Sequence, residues 1–243
     1  FTWQNFKVNI MRTIVILGGS SSIGKAIFNQ FNKKDNKIIS TYFSEGSPAN
    51  TSKNNELFCV DLDNNKSIIE FSEKLISEKI TIDILISLVG ILPGKNLLEY
   101  TFEEIDKVLS INFTGQAKLI RNIIPLLSTK SKLLLMSSIS GQKGSYDPFY
   151  SASKGALLSF VKSVLPSLPT GATINAIAPG LVQDSAMFKN MTFDRQESHK
   201  KQVNSGKLLN QDDLAKIIYD LCQDHWNHLN GACIDLNGGQ YVR

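Results

Sequence analysis

The chain has 243 residues, with 42% hydrophobic and 20% charged side chains and a formal net charge of +4. That length supports one substantial core, so a single α/β domain is expected over two small ones. The charge excess is slight and the lysines are scattered, which removes the case for a nucleic-acid or anionic-membrane partner.

Phe1 to Ile10 read as an N-terminal extension or remnant, with the domain over residues 11–243. They hold no long apolar run, so neither a signal peptide nor a membrane anchor is expected. The first strand, Arg12–Leu17, runs into Gly18-Gly19-Ser20-Ser21-Ser22-Ile23-Gly24-Lys25 and a helix over Ser22–Lys34. Small residues at such a turn let a pyrophosphate approach the backbone, and the helix start offers free N–H groups and partial positive charge. A tight turn with serine caps is the plainer reading of the same residues.

A second strand, Lys37–Tyr42, and a third, Glu56–Val60, are joined by Phe43–Asn55, which is too polar and Gly/Pro/Asn-rich for a helix. Asp61 and Leu62 follow the third strand, where Asp61 is placed to accept a bond from an adenine amino group or to cap a helix. A helix over Lys66–Lys79, a strand over Ile82–Leu88 and helical pieces within Thr101–Leu127 come next. Strands at Lys132–Ser137, Thr173–Ala178 and Ala232–Leu236, with helices at Pro148–Leu165 and Gln211–Gln223, complete the pattern. About seven strands alternating with helices mark a Rossmann-type doubly wound parallel sheet in one domain, with ligands outside the carboxyl ends of the strands.

Tyr150 and Lys154 fall four apart on the Pro148–Leu165 helix, one turn from each other on one face. Free tyrosine titrates near pH ~10, and bringing it to about 7 needs roughly 4 kcal/mol. A unit positive charge about 4 Å away supplies that much at an effective dielectric of ~20. The pair is therefore expected to do general acid–base work with an acidified phenol. Taken alone, it reads more plainly as a surface tyrosine packed on a lysine stem.

Cys59, Cys222 and Cys233 are odd in number and lack paired spacing, so a reducing, cytoplasmic setting is expected. Cys222, His225 and His228 are spaced three apart without an evident fourth ligand, and no metal is expected.

These segments together resemble the short-chain dehydrogenase/reductase family, from Met11 to Val242. In its glycine motif Leu17 stands for a threonine, Gly18 and Gly24 match, and Ser22 replaces the middle glycine. The resemblance implies catalytic roles for Asn112, Ser138, Tyr150 and Lys154. Asn112 would kink a helix and anchor a water on a proton path, and Ser138 would orient the substrate. Ser137 fits the usual count to the tyrosine, but Ser138 fits the following Gly141, which implies a loop Gln142–Phe149 shorter by one residue. It also implies a cofactor surface of Gly18, Ser20, Ser21, Ser22, Ile23, Gly24, Thr41, Asp61, Leu62, Gly90, Tyr150, Lys154, Pro179, Gly180 and Val182.

Two positions depart from the family pattern. Ser87-Leu88-Val89-Gly90 keeps only Gly90 of an Asn-Asn-Ala-Gly segment, and Asp184 stands where a threonine is usual, so Ser185 is expected to take that role.

The implied activity is hydride transfer between a nicotinamide and a carbonyl or alcohol, loosely of the 3-oxoacyl-thioester-reductase kind. An idle dinucleotide-binding scaffold is the rival, with a dehydratase or epimerase third. Thr41-Tyr42-Phe43-Ser44 offers no acid for a ribose 2′-OH, and Ser20, Ser21, Thr41 and Ser44 offer hydroxyls, so NADP(H) is favoured over NAD(H). Residues Asp184–Lys207 read as a mobile lid, with Met187, Phe188, Met191 and Phe193 lining an apolar pocket. A homodimer or homotetramer is expected, because Phe113, Ile120, Ile124, Leu157, Phe160, Val161 and Val164 exceed what one sheet face needs.

Overall fold

Seven strands form one sheet: β1 (Arg12–Leu17), β2 (Asn36–Tyr42), β3 (Asn55–Cys59), β4 (Ile82–Ser87), β5 (Leu127–Met136), β6 (Thr173–Pro179) and β7 (Cys233–Leu236). All neighbours are parallel, in the order β3-β2-β1-β4-β5-β6-β7. The helices are α1 (Ser22–Phe31), α2 (Asn65–Ser77), α3 (Phe102–Leu109), α4 (Gly115–Ile123), α5 (Ser140–Lys143), α6 (Pro148–Ser163), α7 (Ala186–Lys189), α8 (Phe193–Gln202) and α9 (Gln211–Leu221). This computed structural model describes residues 11–32, 35–43 and 55–242. The expectations for residues 1–10, for Ser44 and for most of the segment between β2 and β3 lie outside them.

The strands are nearly continuous runs of Val, Ile and Leu because both faces of the sheet are covered. β1 shows the division by alternation. Val15 and Leu17 join a core with Leu75 of α2, Leu119 and Ile120 of α4 and Leu157 and Val161 of α6. Ile14 and Ile16 join the opposite core with Ile27 and Phe31 of α1 and Leu214 and Ile218 of α9. Side chains of a strand point alternately to its two sides, so one short strand helps to build both layers.

Caps set the helix starts. Ser21 accepts from Gly24 N–H, Asn64 from Lys66 and Ser67, and Asp147 from Tyr150 with Pro148 at the first helical position. Thr101 and Glu104 form a reciprocal capping box. α1 ends at Phe31, before the expected Lys34, and Asn32 closes it.

β5 starts five residues earlier than the sequence suggests. Leu127 is buried and pairs with Ile82, and the register then shifts before Ile84 meets Lys132. The polar run between hid that start. The lid segment holds α7 and α8, which the sequence reading left without helices.

The order reverses between β1 and β4, so the chain leaves their carboxyl ends in opposite directions and opens a crevice there. Gly18 to Ile23 follow β1, and Leu88 to Gly90 follow β4. No helix among the described residues is long and apolar enough to cross a membrane.

Candidate active site

A cavity of about 460 Å³ runs along these carboxyl ends. Its wall takes Ser22 and Ile23 from the start of α1, Gly90 after β4, Ser138 after β5, Tyr150 and Lys154 from α6, and Pro179 to Val182 after β6.

The glycine turn is fixed by contact. Gly18 takes φ +78°, a left-handed conformation that glycine adopts without strain. A Cβ on Gly24 would stand 2.6 Å from the Gly18 carbonyl oxygen, so α1 approaches the turn closely only with glycine there. Ser21 donates to Gly18 O at 2.8 Å and caps α1, while Thr41 Oγ1 accepts from Gly18 N at 3.1 Å. Two of the hydroxyls counted toward a 2′-phosphate are thus engaged in building the turn. Ser22 and Ile23, at the first positions of α1, line the cavity where helix-start N–H groups have no carbonyl of the helix to bind. This cradle suits a pyrophosphate.

Lys154 is only 2% exposed and forms part of the cavity wall. Its ammonium donates to Val89 O at 3.0 Å and Met136 O at 2.8 Å, so the ends of β4 and β5 hold it. Burial pushes its pKa down to about 7. The Tyr150 phenol moves up: burial dominates, the hydrogen bond with Ser138 opposes it, and the Asp147 charge adds to the rise. This corrects the expected acidified phenol. The sequence argument counted the lysine charge and left out the loss of water around both groups.

The two serines after β5 have different tasks. Ser137 donates to the Lys154 main-chain carbonyl at 2.7 Å and ties α6 to the strand. Ser138 hydrogen-bonds the Tyr150 side chain, and its oxygen also accepts from Ser140 N at 3.1 Å.

Asn112 sits in a π-helical turn, Ser110–Thr114, between α3 and α4. It is fully buried and does not line the cavity. Oδ1 accepts from Ile91 N at 2.7 Å, and Nδ2 donates to Ile91 O at 2.9 Å and to Ser153 Oγ at 3.0 Å. Both amide hydrogens are used, so the side chain clamps the loop after β4 to α6. Its main-chain carbonyl accepts from Gln116 Nε2 at 2.6 Å, and Ser87 donates to Gln116 Oε1 at 2.7 Å. Ser87, the departure from the family asparagine, therefore works through Gln116.

Asp147 is the site residue that the sequence reading missed. It is 2% exposed, and Oδ1 accepts from Tyr150 N at 2.9 Å. Oδ2 accepts from Tyr100 Oη at 2.7 Å, Gly94 N at 2.9 Å and Lys95 N at 3.4 Å. An aspartate before proline at the start of a helix pattern was a cap signal, but its three partners 47 to 53 residues upstream were not readable. Asp147→Ala strands these donors and is expected to lower unfolding free energy by about 3 kcal/mol in a denaturant titration. An effect below about 1 kcal/mol would show that solvent replaces the carboxylate freely.

The remaining expected residues divide. Met187 and Met191 line the cavity, and Met187 Sδ lies 3.9 Å from Tyr150 Oη. Phe188 lies off the wall with Lys200 Nζ 5.9 Å from its ring centroid, and Phe193 is exposed, so the expected four-residue lining is reduced to two. Ser185 is buried on the wall, whereas Asp184 is exposed and off it, with φ +62°. Gly18, Ser20, Gly24, Thr41, Asp61 and Leu62 also lie outside the wall. Asp61 Oδ1 accepts from Asp63 N at 2.9 Å, and Leu62 packs into the core with its carbonyl against Gly115. Among the described residues no group of three or more His, Cys, Asp or Glu side chains is arranged to hold a metal ion.

A parallel doubly wound sheet with a glycine cradle and a buried Tyr–Ser–Lys cluster at its carboxyl ends is the architecture of a dinucleotide-fold oxidoreductase. Residues 18–240 match the family model described as enoyl-(acyl carrier protein) reductase, and the chain belongs to the short-chain dehydrogenase/reductase family. It is 26% identical over 239 residues, 95% of this chain and 98% of the relative, to the 3-oxoacyl-(acyl-carrier-protein) reductase of Buchnera aphidicola subsp. Schizaphis graminum. It is 27% identical over 237 residues, 95% and 98% of the two chains, to the acetoacetyl-CoA reductase of Shinella zoogloeoides. The solved structure of a short-chain dehydrogenase/reductase from Brucella melitensis shares the fold, with a TM-score of 0.87 at 23% identity over 96% and 98% of the chains. The chain is an oxidoreductase of alcohol and carbonyl groups.

Proposed function

We propose that the protein reduces a carbonyl compound with NADP(H), favoured over NAD(H), and that Tyr150 supplies the proton. The observation that carries this reading is the Tyr150 phenol, bonded to Ser138 inside a cavity that reaches the glycine cradle. Ser22, Ile23 and the helix start would hold a pyrophosphate, and Pro179, Gly180 and Val182 would flank the nicotinamide. When bound, the cofactor supplies the hydride. Ser138 and Tyr150 hold the carbonyl oxygen, and the Tyr150 proton goes to that oxygen as it becomes an alkoxide. A phenol kept protonated by burial is in the form reduction requires. Lys154, fixed by Val89 and Met136, sits beside the phenol ring, and its protonated form would offset the phenolate left once the proton has gone.

The preference for NADP(H) rests on Thr41, Tyr42 and Phe43, which place no carboxylate after β2. Similarity to 3-oxoacyl-(acyl-carrier-protein) and acetoacetyl-CoA reductases makes a 3-oxoacyl thioester the first substrate class to try. Oxidation of NADPH and NADH should be followed with a panel of such thioesters and simple ketones. Turnover with NADPH at lower KM is expected, and turnover with NADH alone would reverse the cofactor reading.

The reading includes assembly as a homodimer or homotetramer in the cytoplasm. Of the residues first expected, Ile120, Leu157 and Val161 are core, whereas Phe113, Ile124, Phe160 and Val164 are only partly buried and keep apolar surface on α4, α6 and their flanks. Leu97, Leu98 and Phe102, before and at the start of α3, add exposed apolar surface. A monomeric mass by light scattering would remove this part of the reading.

A further inference from the structure

The charge on the cavity wall is one-sided. Among the described residues Lys143, Lys154, Arg195 and His199 line it, and no aspartate or glutamate does. Lys154 is accounted for by its two carbonyls. Lys143 comes from α5, just after Ser138, while Arg195 and His199 stand four apart on one face of α8. Among the described residues neither Lys143 nor Arg195 forms an ion pair, and the neighbouring Glu197 takes Lys200. The three groups lie within one another's fields, since Lys143 and Arg195 both add to the burial that lowers the His199 pKa. The Gln240 amide is 3.1 Å from His199 Nδ1, and with that amide donating, the neutral ring keeps its proton on Nε2. All three side chains then present donors.

These donors are remote from the phosphate cradle. Their elements follow β5 and β6, whereas the cradle follows β1, with β4 and β5 between β1 and β6. Two to three strand spacings of about 4.8 Å set their connections roughly 10–14 Å from that of the cradle. Tyr150 and Met187 come from the same two connections, after β5 and β6, so a carbonyl held at Tyr150 has the basic groups on its own side of the cavity.

We propose that Lys143, Arg195 and His199 form an anion-binding subsite at the lid end of the cavity, which selects carbonyl substrates bearing a carboxylate or phosphate. This rests on the carbonyl-reduction reading above. The anion has two chemical sources, a carboxylate on the oxo compound itself or phosphates on a thioester carrier. Three substrates with the same 3-oxobutanoyl group separate them: acetoacetate, its coenzyme A thioester, and its uncharged N-acetylcysteamine thioester.

The test compares kcat/KM for wild type and the Lys143→Gln/Arg195→Gln double variant, whose two positions are exposed and without ion-pair partners. The ratio of an anionic to the uncharged substrate is expected to fall at least tenfold, and the arm that falls identifies the source. A Lys143→Arg/Arg195→Lys variant should restore the ratio to within threefold of wild type. Equal changes on all three substrates, or an unchanged ratio, would overturn the subsite. Calorimetric titration of acetoacetate and of coenzyme A into wild type and the double variant gives a readout free of turnover. Wild-type binding of either anion, weakened at least tenfold in the double variant, supports the subsite, and equal binding overturns it. If no substrate turns over with either cofactor, the reduction reading fails while the calorimetry still decides the subsite.

Discussion

Tyr150→Phe is expected to lower kcat by about 10²–10⁴-fold, the usual share of a positioned acid, while cofactor affinity stays within a few-fold. The change removes one oxygen from a residue already buried against Ser138, so the ring still fills its place. What is lost is the proton that the new alkoxide must receive. Steady-state rates and a fluorescence titration with NADPH check the two halves separately. Retention of most of the rate would assign the proton to another group. A parallel loss of cofactor affinity would mean that the substitution had disturbed the fold.

Gly90→Ala should give the second large effect, about 10²-fold on kcat/KM, although position 90 carries no chemistry of its own. A Cβ built there stands 2.7 Å from Lys154 Nζ and 3.1 Å from Cε. A surface lysine would swing away from such a contact. Lys154 is held between Val89 O and Met136 O inside the wall, so the added methyl displaces the ammonium or the loop. Overpacking of this kind costs about 1–3 kcal/mol of stability, which a denaturant titration resolves from the kinetic loss. Near-normal kinetics in the folded variant would show that the exact ammonium position is immaterial to turnover.

The sheet was readable because most strands carry a short branched-aliphatic run, and the helices packed on the sheet carry an apolar stripe. Tyr150 and Lys154 were readable for the same local reason, a spacing of one helical turn. The ionisation of that pair was not. It depends on water excluded by β4, β5 and the lid, which no four-residue spacing encodes. Asp147 and Gln116 escaped notice because they have long-range partners: Tyr100, Gly94 and Lys95 for one, Ser87 for the other. The lid helices were hidden by composition, since α8 is strongly polar and buries none of its residues fully. Arg195 and His199 did carry a signal in their i, i+4 spacing, but nothing nearby in sequence said which way that face would turn.

The strand order has a consequence for how the chain is made. Ile14 finds one neighbour in Ile38 but the other only in Ile84, so the middle of the sheet cannot close until β4 exists. From there growth runs one way, with β5, β6 and β7 each laid beside the strand synthesised before it. During translation the first three strands therefore wait with one flank bare, and that interval is when the nascent chain is most open to rescue or to misassembly.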